Sequence, residues 1–300
     1  VVSPTRYLAI VNPAARSGAA RDTARQIEEK LTDLDVTFVN TEYPRHAVEL
    51  AAASHPYDVI CAIGGDGTIH EIVNGMMQIA DGQRPCLGLI PLGSGNDTCR
   101  MIGSPTTIDE AIAVIRAGRT KAFDLGLCNE TYFVNSFSIG LDALTVAATT
   151  KIKEETGRSG MLLYGQALIG TILFNLKPTV LDITIDGVTY RREVLLHTVT
   201  NGKTYGGGFR INPFAHPADG KLTMSRIEWM PALKTLTKIP SLLRATHHTL
   251  DEYETQEIES VTFSSVDGSE LVAQIDGEIL KGRTFAIEVR PFALRFVVEA

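Results

Sequence analysis

The stretch Gly64-Gly65-Asp66-Gly67-Thr68-Ile69-His70-Glu71 constrains this chain more than any other. An apolar run from Tyr57 to Ile63 precedes it with the character of a buried strand, and Ile69, Ile72, Val73 and Met76 follow at helical spacing. The glycines therefore fall in a strand-to-helix turn. Thr68 and Glu71 stand three apart, as in a capping box, which predicts a helix over Ile69 to Met77 capped by Thr68. Bare N–H groups at a helix start form a phosphate site, and glycines let a ligand approach the main chain closely. Asp66 is the odd member, because a carboxylate in a phosphate cradle repels the ligand unless a cation lies between them. That combination points to Mg²⁺ and a nucleoside triphosphate. A ligand-free βα turn would use the same glycines, but here cap, strand and acidic residue agree.

Strands and helices alternate around this turn. Tyr7 to Val11 reads as a first strand and Asn12 to Gly18 as a turn. A helix then runs to about Leu34, with Ala20, Ala24, Ile27, Leu31 and Leu34 on one face. The first turn is not G-x-G-x-x-G, so the usual dinucleotide fingerprint is absent. Val36 to Val39 is a second strand, Pro44 to Ala53 a second helix, and Cys86 to Ile90 a fourth strand that opens into Pro91-Leu92-Gly93-Ser94-Gly95-Asn96-Asp97. Thr107 and Glu110 form a second capping box, for a helix ending at Gly118. The pattern predicts an α/β fold class with a Rossmann-like parallel-sheet nucleotide domain over residues 1–125. In an open parallel sheet both glycine turns lie at the carboxyl edge, so Gly64 to Thr68 and Gly93 to Asp97 can face one phosphate chain.

Past Asp124 strand-like runs follow one another: Tyr132 to Phe137, Val180 to Ile185, Tyr190 to Thr200, Leu222 to Ile227, Glu257 to Phe263, Leu271 to Ile275 and Phe285 to Val289. Asp-Gly turns separate several of them. This predicts a second, mostly antiparallel β domain over 126–289, with inserted helices near 161–175 and 232–247. The apolar run within 290–300 can close either domain, including by returning to the first.

A net charge of -7 argues against a general nucleic-acid binder. The cysteines Cys61, Cys86, Cys99 and Cys128 show no C-x-x-C spacing and read as reduced thiols of a cytoplasmic protein. No signal-peptide pattern precedes Tyr7, and the longest apolar stretch, Met161 to Leu176, is too short and too interrupted to span a bilayer. The expectation is a protein without a transmembrane segment; a homodimer is compatible with the sequence, which leaves the oligomeric state open.

Taken in order, Asn12-Pro13 with Ser17-Gly18, Gly-Gly-Asp-Gly-Thr at 64–68, Pro91-x-Gly-Ser-x-Asn-Asp and Phe123-Asp124 resemble the catalytic domain of the diacylglycerol kinase-like lipid kinases, in the soluble bacterial branch that includes the YegS-type proteins. The similarity continues through Asn135 to Ala143, Tyr205 to Gly208, Asp219 to Leu222 and Asp276-Gly277-Glu278. It implies a two-domain kinase with ATP in the cleft between them. Asp66, Asp97 and Asp124 match residues that organise catalytic Mg²⁺. Asn12, Thr41, Gly65, Thr68 and Ser94 match nucleotide-contacting positions, with Gly64, Gly67, Gly93 and Asn96 from the same turns. Asp276 and Glu278 match the acidic pair near the acceptor hydroxyl, Glu278 in the general-base position. Without the family, Asp276-Gly277 reads simply as a turn.

Two departures stand out. The family's structural Mg²⁺ uses an Asp where this chain has His216, a poor ligand for Mg²⁺ beside oxygen donors, so a site at Asp219 and the Lys221 carbonyl should be weak or missing. Ser94 stands where Thr is usual and keeps the hydroxyl. The expected activity is transfer of the ATP γ-phosphoryl group to a diacylglycerol-like lipid at the inner membrane surface. The Trp229 to His248 stretch, with Lys234, Lys238 and Arg244 and no acidic residue, is the expected membrane face. Two other readings share part of this pattern: an NAD kinase, which has the first glycine motif, and a nucleotide-binding regulator without catalysis.

Overall fold

The computed structural model describes residues 4–14, 20–156 and 161–299. Arg16, Ser17 and Gly18 of the first turn lie outside the described residues. The chain divides into two compact units, Val1–Phe123 with Phe292–Ala300, and Asp124–Pro291.

In the first unit β1 (Arg6–Val11), α1 (Ala20–Lys30), β2 (Asp35–Asn40), α2 (His46–Ala52), β3 (Val59–Gly64), α3 (Asp66–Met76), β4 (Cys86–Pro91), α4 (Asp97–Ile102) and α5 (Ile108–Ala117) alternate. The strands pair in parallel in the order β2-β1-β3-β4, and Phe296 of the returning C-terminal segment pairs in parallel with Leu87. Strands covered on both faces must be apolar throughout, and β1, β3 and β4 are buried along almost their whole length. Ala9, Val11, Cys61, Ile63 and Ile90 pack with Ile27 and Leu31 of the α1 region and with Ile112 and Ile115 of α5. Helices α2 and α3 meet at Gly75, where a Cβ would lie 2.2 Å from the Val48 carbonyl oxygen. The chain order changes direction between β1 and β3, and ligands bind at such a switch point, outside the carboxyl ends of the strands.

The second unit is antiparallel. Its elements are the end of β5 (Thr120–Cys128), β6 (Thr131–Phe133), β7 (Ser136–Gly140), α6 (Leu141–Thr156), α7 (Met161–Gly170), a π-helical turn at Thr171–Asn175, β8 (Thr179–Ile185), β9 (Val188–Thr200), β10 (Leu222–Glu228), α8 (Ala232–Leu243), β11 (Tyr253–Ile258), β12 (Ser260–Ser265), β13 (Leu271–Ile275), β14 (Glu278–Gly282) and the start of β15 (Thr284–Val297). Strand β9 changes partners. Its first half pairs with β8, and from Val194 onward it pairs with β10 and β7. The core fills with aromatic side chains: Phe137 stacks on Phe263 at 5.9 Å and meets Phe285 edge-on at 5.5 Å. The His197 ring stands edge-on to Phe263 at 4.7 Å.

Several expected boundaries move, each for a physical reason. Helix α3 starts at Asp66, two residues before the expected cap, and Gly65 holds the cap position. Thr68 is therefore inside the first turn, where its hydroxyl accepts a bond from Asn12, while Glu71 accepts the backbone N–H of Arg45. The first capping box does not form. At the second, Thr107 does occupy the cap position of α5 and Gly118 ends it left-handed, but the Thr107 hydroxyl bonds the Glu110 carboxylate rather than the helix backbone. The run Tyr132 to Phe137 breaks at Val134 and Asn135, whose N–H groups turn to the Asp276 carboxylate. Glu257 to Phe263 is likewise two strands, because the chain leaves β10 and joins β8 and β15 at Glu259. Helix α6 and strands β5 and β14 carry too weak a periodicity to be expected from sequence.

His197 is 1% exposed, and burial, aided by the Arg226 charge, pulls its imidazole from about 6.5 down to about 3. Between those values the unfolded chain binds a proton that the folded chain refuses, so this side chain costs stability as pH falls through the window and nothing above it. At about pH 5 the loss is about 2 kcal/mol. Urea midpoints at about pH 7 and pH 5 should therefore fall less steeply for His197→Gln than for the parent.

Candidate active site

In the first unit the two glycine turns are in backbone contact. A Cβ on Gly93 would lie 2.7 Å from the Gly65 Cα, and the Leu92 N–H donates to the Gly64 carbonyl at 2.8 Å. A Cβ on Gly64 would meet the Thr68 side chain at 2.6 Å. Glycine is required here by closeness, since side chains would push the turns apart. Asn12 joins them from the end of β1: its Nδ2 donates to Thr68 Oγ1 at 2.9 Å, and its N–H donates to the Ile63 carbonyl. Gly65, Gly67, Thr68 and Gly93 thus surround the first turn of α3, which has no side-chain cap. Asn96 is left-handed at φ 55° and introduces α4, while Ser94 is exposed at the loop tip.

Asp66 and Asp97 both belong to this loop region and approach Gly95. Asp66 Oδ1 accepts the Thr98 N–H at 3.0 Å, an N-terminal donor of α4. The Oδ2 atoms of both carboxylates lie beside Gly95, 2.8 Å and 3.6 Å from where its Cβ would be. Asp97 is 6% exposed and pairs with Arg100 at 3.1 Å. Asp66 is thus half-buried and part of the architecture, not a residue of a solvent-facing turn. A cavity of about 1300 Å³ is lined by Asn12, Phe38, Thr41, Tyr43 and Glu71. Thr41 reaches it because its N–H extends the β1–β2 pairing by donating to the Val11 carbonyl.

The remaining candidates belong to the second unit. Asp276 and Gly277 form the two-residue turn between β13 and β14, both with positive φ, 47° and 90°. Asp276 Oδ1 accepts the N–H groups of Asn135 and Ser136, and Oδ2 that of Val134. Glu278 is the first residue of β14 and is exposed. The turn reading of this segment and its functional reading therefore describe one hairpin. Asp124 is fully buried, and its Oδ2 accepts the N–H groups of Asp219 and Gly220 at 2.9 and 2.8 Å. Asp219 Oδ1 accepts the Lys221 N–H, Lys221 Nζ pairs with Glu257, and His216 Nδ1 accepts the Ala218 N–H. Among the described residues no cluster of three or more His, Cys, Asp or Glu is placed to hold a metal ion.

Sequence reasoning gave no role to Asp142. It sits at the start of α6 and accepts bonds from Ser138 Oγ at 2.5 Å, from Tyr164 and from Gln274 Nε2 at 3.2 Å. Gln274 in turn holds the hairpin, because its Oε1 accepts the Gly277 N–H at 2.8 Å. Burial raises the Asp142 carboxyl above the usual range despite the bonds it accepts. The signal available in sequence was an Asp closely following Gly140, which takes φ 99° and lies against the Leu195 carbonyl.

Residues 6–128 match the diacylglycerol kinase catalytic domain, and residues 135–298 match the YegS C-terminal NAD kinase beta sandwich-like domain. The chain belongs to the diacylglycerol kinase-like lipid kinase family. It is 32% identical to the probable lipid kinase YegS of Salmonella dublin and, equally, to that of Salmonella typhimurium, over 79% of this chain and 77% of each relative. A crystal structure of a putative diacylglycerol kinase from Bacillus anthracis str. Sterne superposes with a TM-score of 0.83 at 24% identity, covering 100% of this chain and 97% of that one. A second structure of a putative diacylglycerol kinase from that strain gives 0.80 at 25% identity, covering 100% and 99%. Membership of this kinase family implies use of a nucleotide.

The bond from the Thr98 N–H to Asp66 separates two substitutions. Asp66→Asn keeps an oxygen for the Thr98 N–H, so its urea midpoint should stay near the parent's. Asp66→Ala removes the acceptor and should cost about 1 kcal/mol. Equal stability of the two variants would show that the carboxylate does not hold α4.

Proposed function

We propose that this chain is an ATP- and Mg²⁺-dependent kinase that phosphorylates the hydroxyl of a diacylglycerol-like lipid. The observation that carries the reading is the backbone contact between the two glycine turns around the uncapped start of α3. The first N–H groups of a helix have no partner within it, and such groups at a helix start suit a phosphate. Gly64, Gly65, Gly67, Thr68, Gly93, Ser94 and Asn96 line the phosphate side in this reading, and Asn12 and Thr41 the adjoining cavity, where the nucleoside fits.

The donor set suits Mg²⁺. Asp66 and Asp97 offer hard oxygens beside Gly95, and Mg²⁺ is commonly held by one or two carboxylates together with substrate phosphates and water. Bound there, the ion would neutralise charge on the phosphate oxygens. Asp124 serves instead as an anchor, since two backbone donors already occupy its Oδ2. The further ion that family likeness implies at Asp219 and Lys221 is not part of the proposal, because that turn is closed by Asp124 and carries His216.

Glu278 is assigned as the general base toward the acceptor hydroxyl. Asp276 positions it by fixing the hairpin, and Asp142 supports the same hairpin through Gln274. Glu278→Gln should lower kcat by about 10²–10⁴-fold with little change in ATP affinity, and unchanged kcat would remove the base assignment. Labelled ATP offered with diacylglycerol, monoacylglycerol, phosphatidylglycerol, a sphingoid base, an isoprenoid alcohol or NAD tests the acceptor class. Turnover with NAD alone would overturn the lipid assignment, and no turnover despite ATP binding would favour a regulator.

No helix among the described residues is long and apolar enough to cross a membrane. The expected basic face also changes character: Lys234 and Lys238 share one carboxylate, Glu252, at 2.5 and 3.8 Å, which offsets one of its three positive charges. Trp229, Leu236 and Ile239 pack inward with Ile172 and Leu195, and α8 continues through Pro240. Exposed apolar groups stand on α8, at Leu233 and Leu243, and form a larger group on α7 and the π-helical turn: Leu162 is 85% exposed and Phe174 83%, with Ile169 and Leu173 about half exposed. This is the face we assign to peripheral contact with the inner membrane surface of the cytoplasm. Burying a Leu or Phe contributes about 1.5–3 kcal/mol, so Leu162→Ser with Phe174→Ser should weaken vesicle binding at least about ten-fold. Cosedimentation with neutral vesicles checks it, and undiminished binding would place the contact elsewhere.

A further inference from the structure

The second unit holds a cavity that none of the candidate site residues lines. It measures about 470 Å³, within the range of small-molecule sites, and lies where β9 passes from pairing with β8 to pairing with β10. Ile183, Ile185 and Met224 give it an apolar wall, and His197, Arg226 and Arg192 supply nitrogen donors. His197 and Arg226 are register partners on adjacent strands.

Two buried nitrogens here lack a hydrogen-bond partner, His197 Nδ1 and Arg226 Nε. Leaving such a group unpaired costs about 1–3 kcal/mol, so a core does not keep two side by side without cause. His197 is 1% exposed, and its low affinity for a proton keeps it neutral. The charges lining the site are therefore the guanidinium groups of Arg192 and Arg226 and the carboxylates of Asp186 and Glu254. Arg226 Nη2 already holds an oxyanion, the Glu254 carboxylate at 2.7 Å, with Glu228 at 3.8 Å. Both glutamates are more than half exposed, so each can yield its place to a ligand at the cost of returning to water. Guanidinium forks match carboxylate and phosphate geometry.

We propose that this cavity is a ligand site for an amphiphile with an oxyanion head, a carboxylate or a phosphate monoester, held by Arg226 and His197 with its apolar chain against Ile183, Ile185 and Met224. The inference does not rest on the kinase reading. The two sources of that head group, a fatty acid and a phosphorylated lipid, share the recognition chemistry.

The test is calorimetric titration of the full chain with decanoate, decyl phosphate, decanol and inorganic phosphate, the amphiphiles below their aggregation thresholds. Saturable binding of decanoate or decyl phosphate, tighter than either decanol or inorganic phosphate, is expected; which anion binds better identifies the source. Arg226→Lys keeps the charge but loses the fork, and Ile185→Trp fills the cavity while leaving the ion pairs intact. Each should weaken the preferred anion at least about ten-fold, the loss of one charge-assisted bond or of the chain's wall. Thermal unfolding confirms that each variant is folded. Decanol binding as tightly as the anions, inorganic phosphate binding as tightly as decyl phosphate, no binding by either amphiphilic anion, or unchanged affinity in the folded variants each overturns the proposal. None of these readouts uses ATP turnover, so failure here is separate from failure of the kinase assignment.

Discussion

The close approach of Gly65 to Gly93 is the constraint on which the first unit depends. Neighbouring parallel strands β3 and β4 end at the same level, and their exits can touch only where neither carries a side chain. With the turns joined, Asp66 reaches the Thr98 N–H at the start of α4, and Asn12 reaches Thr68 from the next strand. Three strand ends are thereby tied into one rim. A six-residue helix such as α4 is too short to be stable by itself, so the carboxylate supplied from α3 is part of what defines it.

The acidic residues of this chain have structural duties before any chemistry. Asp66 caps a helix, and Asp124 closes the turn that carries Asp219 and Gly220. A carboxylate can accept several bonds at once, so a single Asp can organise a loop of glycines that offers donors and no side chains. The same property makes these residues ambiguous when read from sequence, because phosphate-bound metal and backbone amide both favour an anion in the same place.

The alternation of strands and helices to Gly118 was legible because period and length both change at each turn. The two glycine motifs were legible because strand, turn and helix signals agreed. What was not legible depended on contacts distant in sequence. The helix start at Asp66 depends on Gly65 taking the cap position, which releases Thr68 to Asn12, 56 residues away. The pairing of Lys234 and Lys238 was hidden because Glu252 lies outside the stretch that contains them. The two-part use of β9 reads as one uniform run, since nothing local marks where its partner changes. Asp142 was hidden by ordinariness: its importance lies in Tyr164 and Gln274, which no local pattern joins to it.

The hairpin at Asp276 has a consequence for how genetic evidence on this chain should be read. Its carboxylate receives N–H groups on both oxygens. An Asn there can turn only one oxygen toward them and must present its own NH₂ to the remaining donor, so even the isosteric exchange opposes donor to donor. The left-handed φ of 47° adds a conformational preference that Asn tolerates and most other residues do not. An inactive variant at 276 is therefore a report on architecture, whatever its chemistry, whereas the neighbouring strand position can be altered without touching that lock. Inheritance at 276 would be governed by the fold even in a descendant that had abandoned catalysis.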